Sequence, residues 1–236
     1  MQQGQGKVLG TSVDIVFVID KTGSMQPVID KVKALSQGLH KKLSVKLTER
    51  GRPVESLRTK VISFGDFSDG PDAIQESDFF KLPDQESQFV QRLNDITAEG
   101  GGDDPENGLE ALFKAINTPW IRNKTQRQRH IIVLFSDAPA KPLRLDETLP
   151  GYPTEVPATV EELSILWDQE APAQAMTGMV RSSHRLCVFA PPHADSWDKL
   201  KTWHKSKVVT IDAANGGADI DEKDILAFLV DSASDV

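Results

Sequence analysis

The run Val13-Asp-Ile-Val-Phe-Val-Ile-Asp20, continued by Lys21-Thr-Gly-Ser-Met25, decides the fold. Six of the eight residues from Val13 to Asp20 are apolar and β-branched or aromatic, the pattern of a strand buried on both faces. Asp14 interrupts the run near its start, where a strand still lies at the rim of its sheet. The strand then delivers the Asp20 carboxylate and, within four residues, the hydroxyls of Thr22 and Ser24 onto a turn that Gly23 makes possible. Such alternating oxygens suit a hard cation such as Mg2+. They equally suit the capping of a helix that starts near Pro27. Taken alone, the stretch fits both roles.

Two further segments bear on that choice. A second buried strand, His130-Ile-Ile-Val-Leu-Phe-Ser136, also ends on an acid, Asp137. Between the two strands lies Gly100-Gly-Gly-Asp-Asp-Pro-Glu-Asn-Gly-Leu-Glu-Ala-Leu112, a glycine run and two acids ahead of an amphipathic helix. The three segments, in this order, resemble the metal-ion-dependent adhesion site of the von Willebrand factor A family. That site has an Asp-x-Ser/Thr-x-Ser turn after the first strand, a Thr or Asp on a middle loop, and an Asp after the fourth strand. The resemblance spans roughly Val13 to Val230.

Carried over residue by residue, the resemblance implies Asp20, Thr22 and Ser24 in the first motif, Asp137 as the distal acid, and on the middle loop Asp103 ahead of the alternative Asp104, with the other acid capping the helix. Where integrin-type domains carry a Thr on the middle loop, this chain carries Asp103, and its Gly-Gly-Gly-Asp-x-Pro-Glu form resembles that of stand-alone bacterial members of the family, a group that includes tellurite-resistance-type proteins. Three carboxylates around a divalent ion leave a negative cluster. A third acid therefore tightens Mg2+ (or Mn2+ or Ca2+) and weakens attraction for an acidic residue of a partner. The implied function is a metal-binding interaction or regulatory scaffold module, not an enzyme. Its partner is another protein, engaged through an acidic residue that completes the coordination, with a kinase or phosphatase and a secretion-system component as the kinds considered.

An enzymatic alternative rests on the same residues. Asp20-Lys-Thr-Gly-Ser24 also resembles the phosphorylated-aspartate turn of haloacid-dehalogenase-like phosphatases and P-type ATPases, with Asp20 as nucleophile and Mg2+ beside it. Those enzymes need a downstream Lys and a Gly-Asp-Gly-x-x-Asp-type acid pair. The stretch Asn215-Gly-Gly-Ala-Asp219 lacks that pattern.

Composition narrows the rest. At 236 residues the chain suits a single large α/β domain after a polar lead at 1–10, with a proline-rich insertion at about 138–158. A net charge of −8 argues against nucleic acid as a partner. No apolar run reaches the roughly 18 residues that span a bilayer, so no membrane partner is expected. The single cysteine, Cys187, lies in an apolar strand pattern and permits a reducing compartment, so a cytoplasmic, bacterial protein is the expectation. The five histidines have no metal-ligand spacing. Asp66 and Asp69 read as turn formers.

Periodicity predicts one helix from Pro27 to about Glu49, strands at 57–64, 78–82, 185–190 and 207–211, and helices at 85–96, from Pro105 onward, at 159–180 (whole or broken at Pro172), at 197–203 and at 222–232. Strands alternating with helices imply a three-layer, doubly wound, mostly parallel sheet with a short antiparallel edge strand, and the resemblance implies the strand order 3-2-1-4-5-6. Ligands bind such sheets beyond the strands' carboxyl ends, where the order reverses. Asp20 and Asp137 both fall there.

Overall fold

The computed structural model describes residues 10–100, 105–122, 127–172, 175–192 and 194–235. Strand β1 (Thr11–Asp20) is the centre of the molecule, and every residue from Val13 to Asp20 except Asp14 is at most 1% exposed. It pairs in parallel with β2 (Val54–Phe64) on one side and β5 (Arg127–Phe135) on the other. Strands β6 (His184–Ala190) and β7 (Ser206–Thr210) extend the sheet beyond β5, again in parallel. Two short segments, β3 (Ile74–Glu76) and β4 (Phe80–Leu82), both pair antiparallel to β2. The order β3-β2-β1-β5-β6-β7 matches the expected doubly wound sheet, with the single edge strand resolved into two pieces.

Alternation along β1 divides the core. Val13, Ile15, Phe17 and Ile19 face a layer built by α1 (Gln26–Ser36), α2 (Leu39–Glu49), α3 (Glu86–Asn94) and α7 (Glu222–Ser234). Val16 and Val18 face the layer of α4 (Gly108–Ile116), α5 (Val160–Asp168) and the short α6 (Asp195–Asp198). A period of two in a strand sandwiched between helices gives two cores, one per face. Asp14, the one polar interruption, is neutralised at the rim by a bidentate pair with Arg58 at 2.9 and 2.6 Å.

Four sequence expectations need correction. The helix expected from Pro27 to Glu49 is two helices, because Gly38 takes φ 71° between them and its left-handed turn cannot continue α1. The helix expected from Pro105 begins only at Gly108. Glu106 instead forms a parallel bridge with Ala140, so its backbone is spent on a non-local partner. The helix expected over 159–180 stops at Asp168, and among the described residues the chain beyond it, through Pro172, runs without helix until β6. Residues 197–203 are not one α-helix. A 3-10 turn at Lys199–Thr202 follows α6 and buries both Trp197 and Trp203.

Residues 141–159 contain turns only, but polar anchors hold them. The Lys141 ammonium donates to Asp66 at 2.5 Å and to Asp146 at 3.1 Å. The Tyr152 hydroxyl donates to Glu110 of α4 at 2.8 Å and accepts from the Arg144 amide at 2.7 Å. Burial, opposed by that tyrosine, pushes the Glu110 carboxyl from 4.5 up to about 7. A raised acid contributes stability that is complete below its unfolded value near 4.5 and is lost as pH rises through about 7. Glu110→Gln keeps the oxygen facing Tyr152 and removes the charge. The variant is expected to gain ~1–2 kcal/mol over wild type at about pH 8 and nothing below about pH 4.5. Urea melts across pH measure this, and parallel curves for the two proteins would refute it.

Candidate metal site

The site begins with register. Ile19 lies opposite Phe135, so the next residues along the two strands, Asp20 and Ser136, meet at the same carboxyl-terminal edge. The Ser136 hydroxyl donates to Asp20 Oδ2 at 2.8 Å. Asp20 Oδ1 accepts from the Thr22 amide at 2.9 Å and from its hydroxyl at 2.7 Å. Asp20 is fully buried. Burial is the largest influence on its carboxyl and raises it from 3.8 to about 6, with the Asp137 charge adding to the rise and the bonds from Thr22 and Ser136 opposing it. A buried acid ringed by donors, with a second acid beside it, is an arrangement that a cation stabilises.

Ser24 is exposed on the 3-10 turn Gly23–Met25 that leads into α1, and Asp137 is 9% exposed. None of the caps that the alternative reading required is present at this turn. Thr22 occupies its N-cap position with no side-chain cap bond, and Met25 precedes α1 without one either. The chain ahead of the middle loop is tied to the first motif by two backbone bonds, Glu99 to the Lys21 carbonyl at 2.9 Å and Gly23 to the Gly100 carbonyl at 3.3 Å. Asp103 and Asp104, the middle-loop candidates, lie outside the described residues. Among the described residues no three His, Cys, Asp or Glu side chains are placed to hold a metal ion together. Of the described candidates, Thr22 is joined to Asp20 by hydrogen bonds, and Asp137 stands close enough for its charge to act on Asp20.

Three contributors escaped the sequence reading. Ser136 reads as the last residue of a strand, and its role as a donor to Asp20 emerges only from β1–β5 pairing. Glu106 is 1% exposed, and its Oε2 has no hydrogen-bond partner. Its backbone is clamped between the Pro139 carbonyl at 3.0 Å and the Lys141 amide at 2.7 Å. Burial first, then repulsion from Asp20, Asp66 and Asp69, pushes its carboxyl from 4.5 to about 8. An orphaned buried carboxylate oxygen among acids fits a site whose electrostatics are completed by a cation. The third contributor is Gly216. Its φ is 54°, and a Cβ there would stand 1.9 Å from the Ser24 carbonyl oxygen. This close backbone approach lets the loop after β7 support the turn that carries Ser24. The signal was the Gly216-Gly217 pair, which reads in sequence only as a flexible turn.

Asp66 and Asp69 also approach from the end of β2. Asp66 caps the 3-10 turn Phe67–Asp69 through the Ser68 amide at 2.7 Å. Burial works against its charge, but the bonds from Lys141 and Ser68 prevail and hold the carboxyl below its ordinary range. Asp66 thus combines the turn-forming role read from sequence with a buried ion pair. Cys187 is buried in β6, where burial pushes its thiol up to about 12, which leaves it unreactive.

Comparisons with known proteins agree with this geometry. A profile of the von Willebrand factor A domain matches residues 14–161, more than half of the chain. The human von Willebrand factor A domain-containing protein 7 is 35% identical over 126 residues, 53% of this chain and 12% of that protein. The alpha-protein kinase vwkA of Dictyostelium discoideum is 26% identical over 156 residues, 66% of this chain and 23% of that protein. The chain thus spans less than a quarter of the length of these relatives. Among solved structures, the pilus adhesin SpaC of Lactobacillus rhamnosus GG superimposes with a TM-score of 0.53 at 13% identity, over 94% of this chain and 31% of that one. Proximal thread matrix protein 1 of the mussel byssus, solved with zinc in its metal-ion-dependent adhesion motif, gives 0.52 at 13% identity, over 97% of this chain and 49% of that one. At such identities these two structures speak for the fold. The profile match and the ordered motif together place the chain in the von Willebrand factor A domain family.

Proposed function

We propose that this domain binds one divalent cation, Mg2+ by preference, and uses the occupied site to hold a partner protein, without enzymatic activity. The observation that carries the reading is the Asp20 carboxylate. It is fully buried, fixed by three hydrogen bonds, and set beside Asp137 at the switch point of the sheet. Asp20, Thr22, Ser24 and Asp137 would hold the ion, with Asp103 completing the set from the middle loop. The ion supplies an open coordination position for a partner's oxygen ligand. The chain's own residues prepare that position: Ser136 and Thr22 orient Asp20, the buried Glu106 carboxyl stands close enough to feel the Asp20 charge, and Gly216 lets the last loop support the Ser24 turn.

Hard oxygen donors without sulfur or imidazole favour Mg2+, Mn2+ or Ca2+ over softer ions. Many acids close to the site favour tight metal retention over strong attraction for an acidic partner residue. The partner class is therefore a protein that presents an oxygen ligand on a surface tolerant of negative charge, with components of a kinase–phosphatase or secretion system as the kinds to test. A cytoplasmic location belongs to the same proposal. Among the described residues no helix is long and apolar enough to cross a membrane.

The test joins metal binding to partner capture. Calorimetry should give one Mg2+ or Mn2+ per chain, and proteins captured from the source cell's lysate in Mg2+ should be released by EDTA. Absence of binding at millimolar metal would remove the site. Capture that ignores EDTA would separate partner binding from the metal.

A further inference from the structure

The opposite rim of the sheet carries a second polar centre. Strand β5 begins with Arg127 and Arg129, β6 with His184 and Arg185, and Lys205 precedes β7. Arg52, in the turn between α2 and β2, adds its charge to those of Arg127 and Arg129. The nine residues of β5 span about 26 Å between this rim and the edge that Asp137 follows. In a chain of net charge −8, a concentration of cations drawn from three strand starts is not expected from composition.

Two of these guanidinium groups are deeply placed. Arg129 and Arg185 are each 5% exposed, and the Nε of each is buried without a hydrogen-bond partner. Arg129 donates through its other nitrogens to the Gln128 carbonyl at 2.7 Å and to the Asp235 carbonyl, which Arg127 also reaches. Arg185 donates to the His184 and Ser182 carbonyls at 2.7 and 3.2 Å and to the Asp235 carboxylate at 3.0 Å. Lys205 donates to the same carboxylate at 3.3 Å, from a residue held at φ 56°, an uncommon backbone state for a side-chain-bearing residue. Arg185, Lys205, Lys207 and Asp235 line one end of a cavity of about 770 Å³ that runs beneath α7. Its other acids do not neutralise that end. Asp231 pairs with Arg50 at 2.7 Å, Asp219 lies past the far end of β7 and accepts from the Asp212 amide at 3.1 Å, and Asp224 stands eleven residues up α7, about 16 Å away.

Among the described residues, the cations on this rim outnumber the anions facing them. Arg129 is driven down to about 10 by burial and then by Arg127 and Arg185, and Arg127 by burial and then by Arg52. The described anion facing them is the Asp235 carboxylate, 48% exposed. A carboxylate offers two acceptor oxygens and one charge. A phosphate group offers three and nearly two charges at neutral pH, and guanidinium forks match its oxygens in pairs.

We propose that Arg185 and Lys205, at the mouth of the cavity under α7, with Arg129 beside them on Asp235, form a binding site for a phosphate group, which the Asp235 carboxylate partly occupies. The group is either free phosphate or a phosphorylated side chain of a partner. This site is independent of the metal-binding reading and lies at the other end of the sheet.

The test is calorimetry and thermal melting of the intact protein at pH 7.5 and constant ionic strength, with inorganic phosphate against chloride. Phosphate should raise the melting temperature saturably where chloride does not. Asp235→Asn, at a half-exposed position, should tighten phosphate binding several-fold by removing the competing carboxylate. Arg185→Gln should abolish the phosphate effect. Lys205→Gln, on an exposed side chain, should weaken binding several-fold and serves if Arg185→Gln fails to fold. N-acetyl-O-phosphoserine amide forms the second arm: tighter binding than inorganic phosphate assigns a phosphorylated partner, and equal binding assigns the free anion. Phosphate no better than chloride in both wild type and Asp235→Asn overturns the site. So does phosphate binding that survives both Arg185→Gln and Lys205→Gln.

Discussion

Asp20→Asn is expected to abolish the metal-induced rise in melting temperature while leaving the metal-free fold as stable as wild type or more so. The amide keeps an oxygen for the Thr22 amide and hydroxyl and presents an N–H to the Ser136 hydroxyl, so local geometry survives. The desolvation that raises the wild-type carboxyl to about 6 disappears with the charge. In wild type, metal at a hundredfold excess over its dissociation constant adds ~2.7 kcal/mol by mass action. For a domain of this length that corresponds to about 5–10 °C. The variant should show none of it. Scanning calorimetry with and without Mg2+ checks the outcome. A variant that gains as much as wild type from the metal would move the site away from Asp20. The same variant addresses phosphotransfer: a beryllium-fluoride adduct formed by wild type and lost in Asp20→Asn would make Asp20 a nucleophile instead.

The second large effect concerns the loop that leaves β5. Lys141→Met removes the cation between Asp66 and Asp146, whose side chains are 2% and 12% exposed. Breaking a buried pair by deleting one partner leaves an uncompensated charge and costs ~3–5 kcal/mol, well beyond the worth of the pair against an apolar substitute. Asp66 has few means of escape, because it also caps the Phe67–Asp69 turn. A fall of about 10 °C in melting temperature is expected. Asp66→Asn combined with Lys141→Met should recover most of it, since the amide oxygen still serves the Ser68 cap and the one charge left unpaired, Asp146, is the more exposed of the two. A double variant as unstable as the single one would show that methionine disturbs the packing around α4 and that the charge is incidental.

The two effects separate local from non-local chemistry. What the sequence by itself determined is the frame. The apolar runs at Val13–Asp20 and His130–Ser136 are strands because side-chain alternation and burial on both faces are written in adjacent residues. The Asp20-Lys-Thr-Gly-Ser24 turn is legible for the same reason, since all its donors lie within five positions. The sheet order followed from alternating strands and helices together with the family resemblance. Helix boundaries were less legible. The three- and four-residue apolar spacing runs unbroken across Gly38, yet the backbone there turns left-handed. Pro105 is a good first helical residue, yet Glu106 is held by Ala140 from a distant strand exit.

Tertiary structure alone decided who faces whom. Ser136 reaches Asp20 across 116 positions, Lys141 reaches Asp66 across 75, and Tyr152 reaches Glu110 across 42. Strand register and loop return set these pairings, and neither leaves a periodic trace in the chain. The Arg127, Arg129, Arg185 and Lys205 cluster is dispersed along the sequence and reads there as ordinary strand-flanking charge. Parallel pairing aligns the starts of β5, β6 and β7 on one rim, and burial of two guanidinium groups turns scattered solvated charges into one field. A charge's effect depends on its solvation and its neighbours in space, and both are properties of the folded chain.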